Sequence, residues 1–159
     1  MKTNESSALR DQLVALLGSS QAHADFEAAV RDLPAELRGK TVRGAEHTAW
    51  QLLEHMRIAQ WDILEFSRNP KHVSPAWPDG YWPETGAPPD DAAWDKSIRR
   101  FKADRRAIQK LVADPASDLF TPFAHGDGQT LLREALLVAD HNAYHIGQLV
   151  LLRRLLGAW

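Results

Sequence analysis

The chain has 159 residues, 44% apolar and 25% charged, with a formal net charge of −2 and no cysteine. That length supports one domain with a real core, spanning residues 1–159, and is too short for two comfortable ones. Disulfides, thiolate metal sites and a cysteine nucleophile are excluded outright, and the balanced charge, with no Lys/Arg stripe along one face, argues against a nucleic-acid partner.

The N-terminal Met1–Ser6 stretch carries no apolar signal core. The longest apolar candidate, Ala135 to Leu156, is broken by Asp140, His141, His145, Arg153 and Arg154. It falls short of the roughly 18 uninterrupted apolar residues of a membrane span. A cytoplasmic protein without a membrane partner is expected.

Hydrophobic periodicity predicts four helical segments and no strand. The first runs from about Glu5 to Leu33. Its two stripes, Leu9-Leu13-Leu16-Leu17 and Phe26-Val30-Leu33, are out of phase across Gly18-Ser19-Ser20. A break is expected there, with Ser20 as a cap for the second half. Pro34 to Ala45 reads as a loop, with Gly39 and Gly44 as turn points.

The second helix has the clearest start: Thr48-Ala49-Trp50-Gln51 is a capping box. It should run to about Ser67, before Pro70. Residues 69 to 89 hold six of the nine prolines together with Trp77, Tyr81 and Trp82. Such aromatic content predicts an ordered crossover between helices two and three. Those aromatics either cover one end of the bundle as a lid or simply pack.

The third helix starts near Asp90 or Asp91 and ends near Ala113. The fourth is capped by Asp127 or Thr130 and stopped by Gly157. The fold class is therefore all-α, a four-helix bundle.

His141 and His145 lie four apart on the fourth helix, which puts both imidazoles on one face. Val138, His141, His145, Leu149 and Leu152 make one stripe at steps of 3 and 4, so the histidines occupy core positions. Leu52, His55, Ala59 and Asp62 share a face of the second helix. If those faces meet, three imidazoles converge with coordination positions to spare, which describes a catalytic metal site better than a closed structural one. The competing reading is that the HxxxH pair arises by chance and His55 is a core histidine with its hydrogen bonds satisfied.

Trp50-Gln51-Leu52-Leu53-Glu54-His55, followed far downstream by His141-Asn142-Ala143-Tyr144-His145-Ile146-Gly147-Gln148, resembles the DinB/YfiT-like superfamily of four-helix metalloproteins. The order matches over nearly the whole chain, including the crossover and the closing Arg153 and Leu156-Gly157. The resemblance implies that His55, His141 and His145 ligate one divalent metal ion, commonly zinc or nickel, and that the protein is a homodimer. It also implies a small-molecule partner, since some such relatives are thiol S-transferases or thiol-dependent isomerases using mycothiol, bacillithiol or glutathione.

Neighbouring residues have two readings each. Asn142 and Gln148 either orient the ligands or bond between helices. Tyr144 packs with its hydroxyl satisfied or serves catalysis. Gly147 allows close helix contact or gives flexibility. His23 is a fourth ligand, a proton relay or a cap; His125 touches substrate at the mouth of the last helix or lies at the surface. His47 and His72 read as loop residues, and Asp62 hydrogen-bonds a neighbour or meets an inward Arg.

Three functions compete. The first is a metal-dependent transferase that activates an external thiol. The second is a metal-dependent hydrolase, weakened because no Glu lies within a turn of the histidine pair on the inward face. The third is a non-catalytic, stress-associated metal-binding protein.

Overall fold

Four helix starts are set by the side chain just before them. The Asp25 carboxylate accepts from the Ala28 amide. Thr48 and Gln51 form the expected reciprocal box. Asp90 accepts from Ala93 and Thr130 from Arg133. Each satisfies a donor that the first turn leaves orphaned.

The computed structural model describes residues 2–18 and 21–159, apart from the side chains of 2–5. The helices are α1 (Lys2–Gly18), α2 (Phe26–Val30), α3 (Ala49–Arg68), α4 (Asp91–Ala113) and α5 (Leu131–Leu155). Among the described residues there is no strand, and no helix is long and apolar enough to cross a membrane. The all-α reading and the boundaries of the last three helices hold.

The first segment departs from expectation. Its break is wider than Gly18-Ser19-Ser20, and the cap of the second piece is Asp25; the expected cap, Ser20, lies outside the described residues. α2 has only five residues, too few to persist alone. It survives because Phe26, Ala29 and Val30 are buried and because Arg153 holds its end. The Arg153 Nη1 donates to the carbonyls of Ala29 at 2.9 Å and Arg31 at 2.7 Å. Its Nε donates at 2.9 Å to Ala158 beyond α5, so one side chain ties α2 to the C-terminus. Asp32 then turns the chain in the left-handed region, φ 52°.

The 34–45 loop contains a short 3-10 turn, Ala35–Leu37. Gly44 has the positive φ of a turn glycine, 88°. Gly39 is required for another reason: a Cβ there would run into Ala87 of the crossover.

α3 packs on α4 and α5, and α1 on the same pair. The apolar interior forms two layers. One gathers Phe26, Trp50, Leu53, Met56, Trp94, Phe101 and Leu149, with the Phe26 and Phe101 rings stacked at 3.8 Å. The other gathers Leu13, Leu17, Leu64, Ile108, Val112, Leu131 and Val138. A polar bridge also crosses the core. The Gln60 Nε2 donates to the Phe101 carbonyl at 2.8 Å, and its Oε1 accepts from Asn142 at 3.0 Å. Buried amides need such partners, and this one links α3, α4 and α5 beside the histidines. The crossover between α3 and α4 holds one 3-10 turn, Asp79–Tyr81, and a cis Trp77–Pro78 bond.

Candidate metal centre

The inward stripe of α3 carries His55 among Leu52, Met56 and Ala59, and the inward stripe of α5 carries His145 among Val138, Leu149 and Leu152. His55 and His145 are only 4% and 7% exposed; His141, at the edge of that stripe, is half-buried. The packing of α3 on α5 brings the three rings together, with centroids 4.5 to 4.8 Å apart. One nitrogen from each ring lies within 4.8 Å of the others. The Nε2 atoms of His55 and His141 are 3.0 Å apart. Two nitrogens on one tetrahedral zinc, each bonded at about 2.0–2.1 Å, would stand roughly 3.3 Å apart; the His55–His141 pair is close to that spacing, and the three-ring cluster, spread over up to 4.8 Å, would have to draw in around an ion.

The outer nitrogens of His55 and His145 are engaged. The His55 Nδ1 lies 2.9 Å from the Tyr81 carbonyl, which can only accept, so the proton sits on Nδ1 and Nε2 presents a lone pair. The His145 Nδ1 lies 2.6 Å from Gln148 Oε1 and is held the same way. Outer-shell acceptors of this kind fix tautomer and ring orientation in metal sites. The side chain of Asn142 donates to Gln60 at 3.0 Å beside the cluster.

All three imidazoles are pushed below the usual histidine range. For His55, burial is the main cause, offset by the Tyr81 carbonyl and reinforced by His47. For His145, burial again leads, offset by Gln148. For His141, burial, then His145 and His55, lower the value to about 4. Neutral imidazole is the form that ligates metal.

The crossover closes over this cluster. The Trp82 indole lies flat on the His55 ring, and His47 stacks on Trp82 at 4.0 Å. His47, read from sequence as a loop residue, thus stands behind the site. His72, read the same way, is bonded to Asp62. Trp77 is exposed, so the covering is the work of Tyr81 and Trp82. A half-open cavity of about 220 Å³ adjoins the cluster through His47 and Gln148; Leu52, Leu151 and Leu155 give it apolar walls.

Of the remaining expected site residues, His23 and His125 lie apart from the cluster, and Tyr144 touches its edge. His23 has its Nδ1 2.8 Å from the Ala24 carbonyl and lines a different cavity with Leu17, Phe26 and Arg105. His125 bonds the Phe66 carbonyl at 2.8 Å. Phe66 is eleven residues along α3 from His55, about 16 Å at 1.5 Å per residue. Tyr144 is not packed: it is 64% exposed, with its ring edge against His145. Its position falls between the buried stripe of α5 and solvent. Gly147 makes no close contact either, since a Cβ there would meet open space.

Pattern reading missed three parts of the site: the Tyr81 carbonyl, the Trp82 stack and His47. The aromatic richness of the crossover was the available signal, but it does not say which ring meets which helix.

The family model of the DinB superfamily matches residues 20–149, a span that includes all three histidines. No curated protein and no solved structure matches the chain.

Proposed function

The chain belongs to the DinB superfamily, and from that premise we propose that it holds one divalent metal ion on His55, His141 and His145 and transfers a low-molecular-weight thiol to a small electrophile. One observation carries the metal reading. His55 keeps its proton on the outer nitrogen, bonded to Tyr81, and turns a lone pair toward His141 Nε2 at 3.0 Å, with His55 and His145 themselves buried. Buried imidazoles stripped of water need a compensating partner, and a shared cation satisfies all three. An ion held by three neutral ligands keeps its full charge, which would favour the thiolate form of a bound thiol.

The chain's own residues fit transfer from an external thiol. It has no cysteine to compete for the ion. The Leu52, Leu151 and Leu155 cavity beside Gln148 offers an apolar wall for the body of a substrate. The two carboxylates nearest His55 on α3, Glu54 and the buried Asp62, are committed elsewhere, which argues against a general base for water and so against hydrolysis. Glu54 is bidentate to Arg57 at 2.7 and 2.8 Å and also bonds Ser97. Asp62 takes hydrogen bonds from Tyr81 and His72.

The test is metal content by elemental analysis, followed by assay of a panel of thiols with electrophiles. Stoichiometric zinc or nickel, with conjugation lost on chelation and restored by the metal, is expected. Conjugation that survives chelation would overturn the reading. So would ester or amide hydrolysis with no thiol requirement. Self-association as a homodimer is proposed with it, supported by the exposed Leu136, Tyr144, Leu151 and Leu155 on one side of α5.

A further inference from the structure

We propose that Asp62 is a positioning residue for the metal centre: with Tyr81 and His72 it forms a clasp that holds His55 in the tautomer whose Nε2 faces His141 and His145. The inference rests on the metal-site reading above and adds residues that carry no ligand atom themselves.

Asp62 lies two turns beyond His55 on α3, about 10 Å along the axis, too far to touch it. It is 7% exposed, and a buried carboxylate is costly unless its oxygens are bonded. Both are. Oδ2 accepts from the Tyr81 hydroxyl at 2.6 Å, and Oδ1 is 2.7 Å from His72 Nε2. Both donors belong to the crossover, at either end of a ten-residue excursion that includes the exposed Val73 and Trp77. One charge on α3 therefore staples both ends of that excursion to the helix.

The consequence falls on His55. The residue whose side chain is pinned, Tyr81, is the residue whose carbonyl accepts from His55 Nδ1 at 2.9 Å, and its neighbour Trp82 stacks flat on the same imidazole. A loop carbonyl that could drift would yield its place to water. His55 could then carry its proton on Nε2, where a ligating lone pair is needed. Asp62 thus acts on the site through the backbone of Tyr81, and the hydroxyl of Tyr81 is the link.

The decisive variant is Tyr81→Phe, which removes one oxygen and keeps the ring and the carbonyl. Asp62→Asn tests the charge, and Val73→Ala is the control inside the same excursion. Nitrogen-15 NMR of the metal-free full chain reads the protonation of each imidazole nitrogen. Wild type and Val73→Ala should show His55 protonated on Nδ1; Tyr81→Phe and Asp62→Asn should show a mixture of tautomers. Zinc affinity, measured by competition with a chromophoric chelator, should fall in Tyr81→Phe, by at most the roughly 10- to 100-fold that loss of an outer-shell partner itself costs. The visible spectrum of the cobalt(II) form should change with it. A wild-type His55 signal in Tyr81→Phe overturns the clasp. A shifted signal with unchanged zinc affinity overturns its part in metal binding. If wild type takes up no metal, the metal reading falls, while the tautomer measurement still decides whether the clasp orients His55. Should Asp62→Asn fail to fold, Tyr81→Phe decides alone.

Discussion

The imidazole of His55 lies parallel to the indole of Trp82, with centroids 3.8 Å apart and an angle of 0° between the rings. The stack covers one face of the ring and leaves its edge for hydrogen bonding to Tyr81 and for a metal ion. Such a pair contributes about 0.5–1.5 kcal/mol beyond area burial, so Trp82→Ala should weaken zinc binding by up to about tenfold. It should also abolish most of the change in tryptophan fluorescence that accompanies metal uptake. Fluorescence titration checks both; an unchanged titration in Trp82→Ala would show that the stack does not serve the site.

Of the three proposed ligands, His141 is the one whose loss should be cleanest. It is half-buried, and its ring sits on α5 rather than against the crossover. His141→Ala removes one imidazole of three while leaving the stack of His55 on Trp82 and the His145 bond to Gln148 in place. The stoichiometric zinc proposed for wild type should be missing from the purified variant, with circular dichroism unchanged. Full zinc occupancy in it would reject the assignment of that residue.

The sequence carried the helices and the three histidines because both are periodic properties. Thr48 to Gln51 is a local capping pattern, and His55, His141 and His145 stand where apolar residues belong in a 3.6-residue repeat. The rest of the site has no period. The carbonyl of Tyr81 is invisible to any side-chain pattern, and the path of the crossover is set by Asp62, far along another element. The same limit shortened α2: its end depends on Arg153, more than a hundred residues downstream. For Tyr144 and Gly147 the packing reading fails because both sit at the border of the buried stripe, where spacing alone does not separate packing from solvent.

Arg153 should be among the most sensitive positions for stability. It is 7% exposed and donates to four carbonyls on α2, the turn after it and the C-terminal tail. Arg153→Met keeps much of the volume and removes the donors. The cost should be about 2–5 kcal/mol, since several buried carbonyls lose charged partners at once. Urea unfolding measures it; a loss under 1 kcal/mol would mean that water replaces the guanidinium freely.

The proposed homodimer would use the outer side of α5. Leu136, Tyr144, Leu151 and Leu155 are all exposed, and their spacings of eight, seven and four place them within one quarter to one third of the helix circumference. Aligned apolar side chains of this kind mark interaction surfaces. Light scattering on the wild-type chain should give a dimer mass, and Leu151→Glu should give a monomer of unchanged helicity. A wild-type monomer across the accessible concentration range would remove the homodimer proposal.

Acid sensitivity should come in part from Glu27. This residue of α2 is joined to Arg105 of α4 at 2.5 and 3.2 Å, with the Lys102 ammonium 3.7 Å away. Burial pushes its carboxyl up, but the hydrogen bond and charge of Arg105 outweigh burial, and the net value lies below the ordinary 4.5. A carboxylate with a lowered folded value binds its proton more readily when unfolded. Between the two values the unfolded chain holds more protons, and stability therefore rises with pH. The contribution is fully present above 4.5 and is lost as pH falls through the lower folded value. Because the pair is partly solvated, it is worth at most about 1 kcal/mol. Glu27→Gln should be less stable than wild type at neutral pH, and the gap should close in acid. Urea unfolding at both ends of that range measures the gap; a difference that persists unchanged in acid would assign the loss to packing rather than to the ion pair.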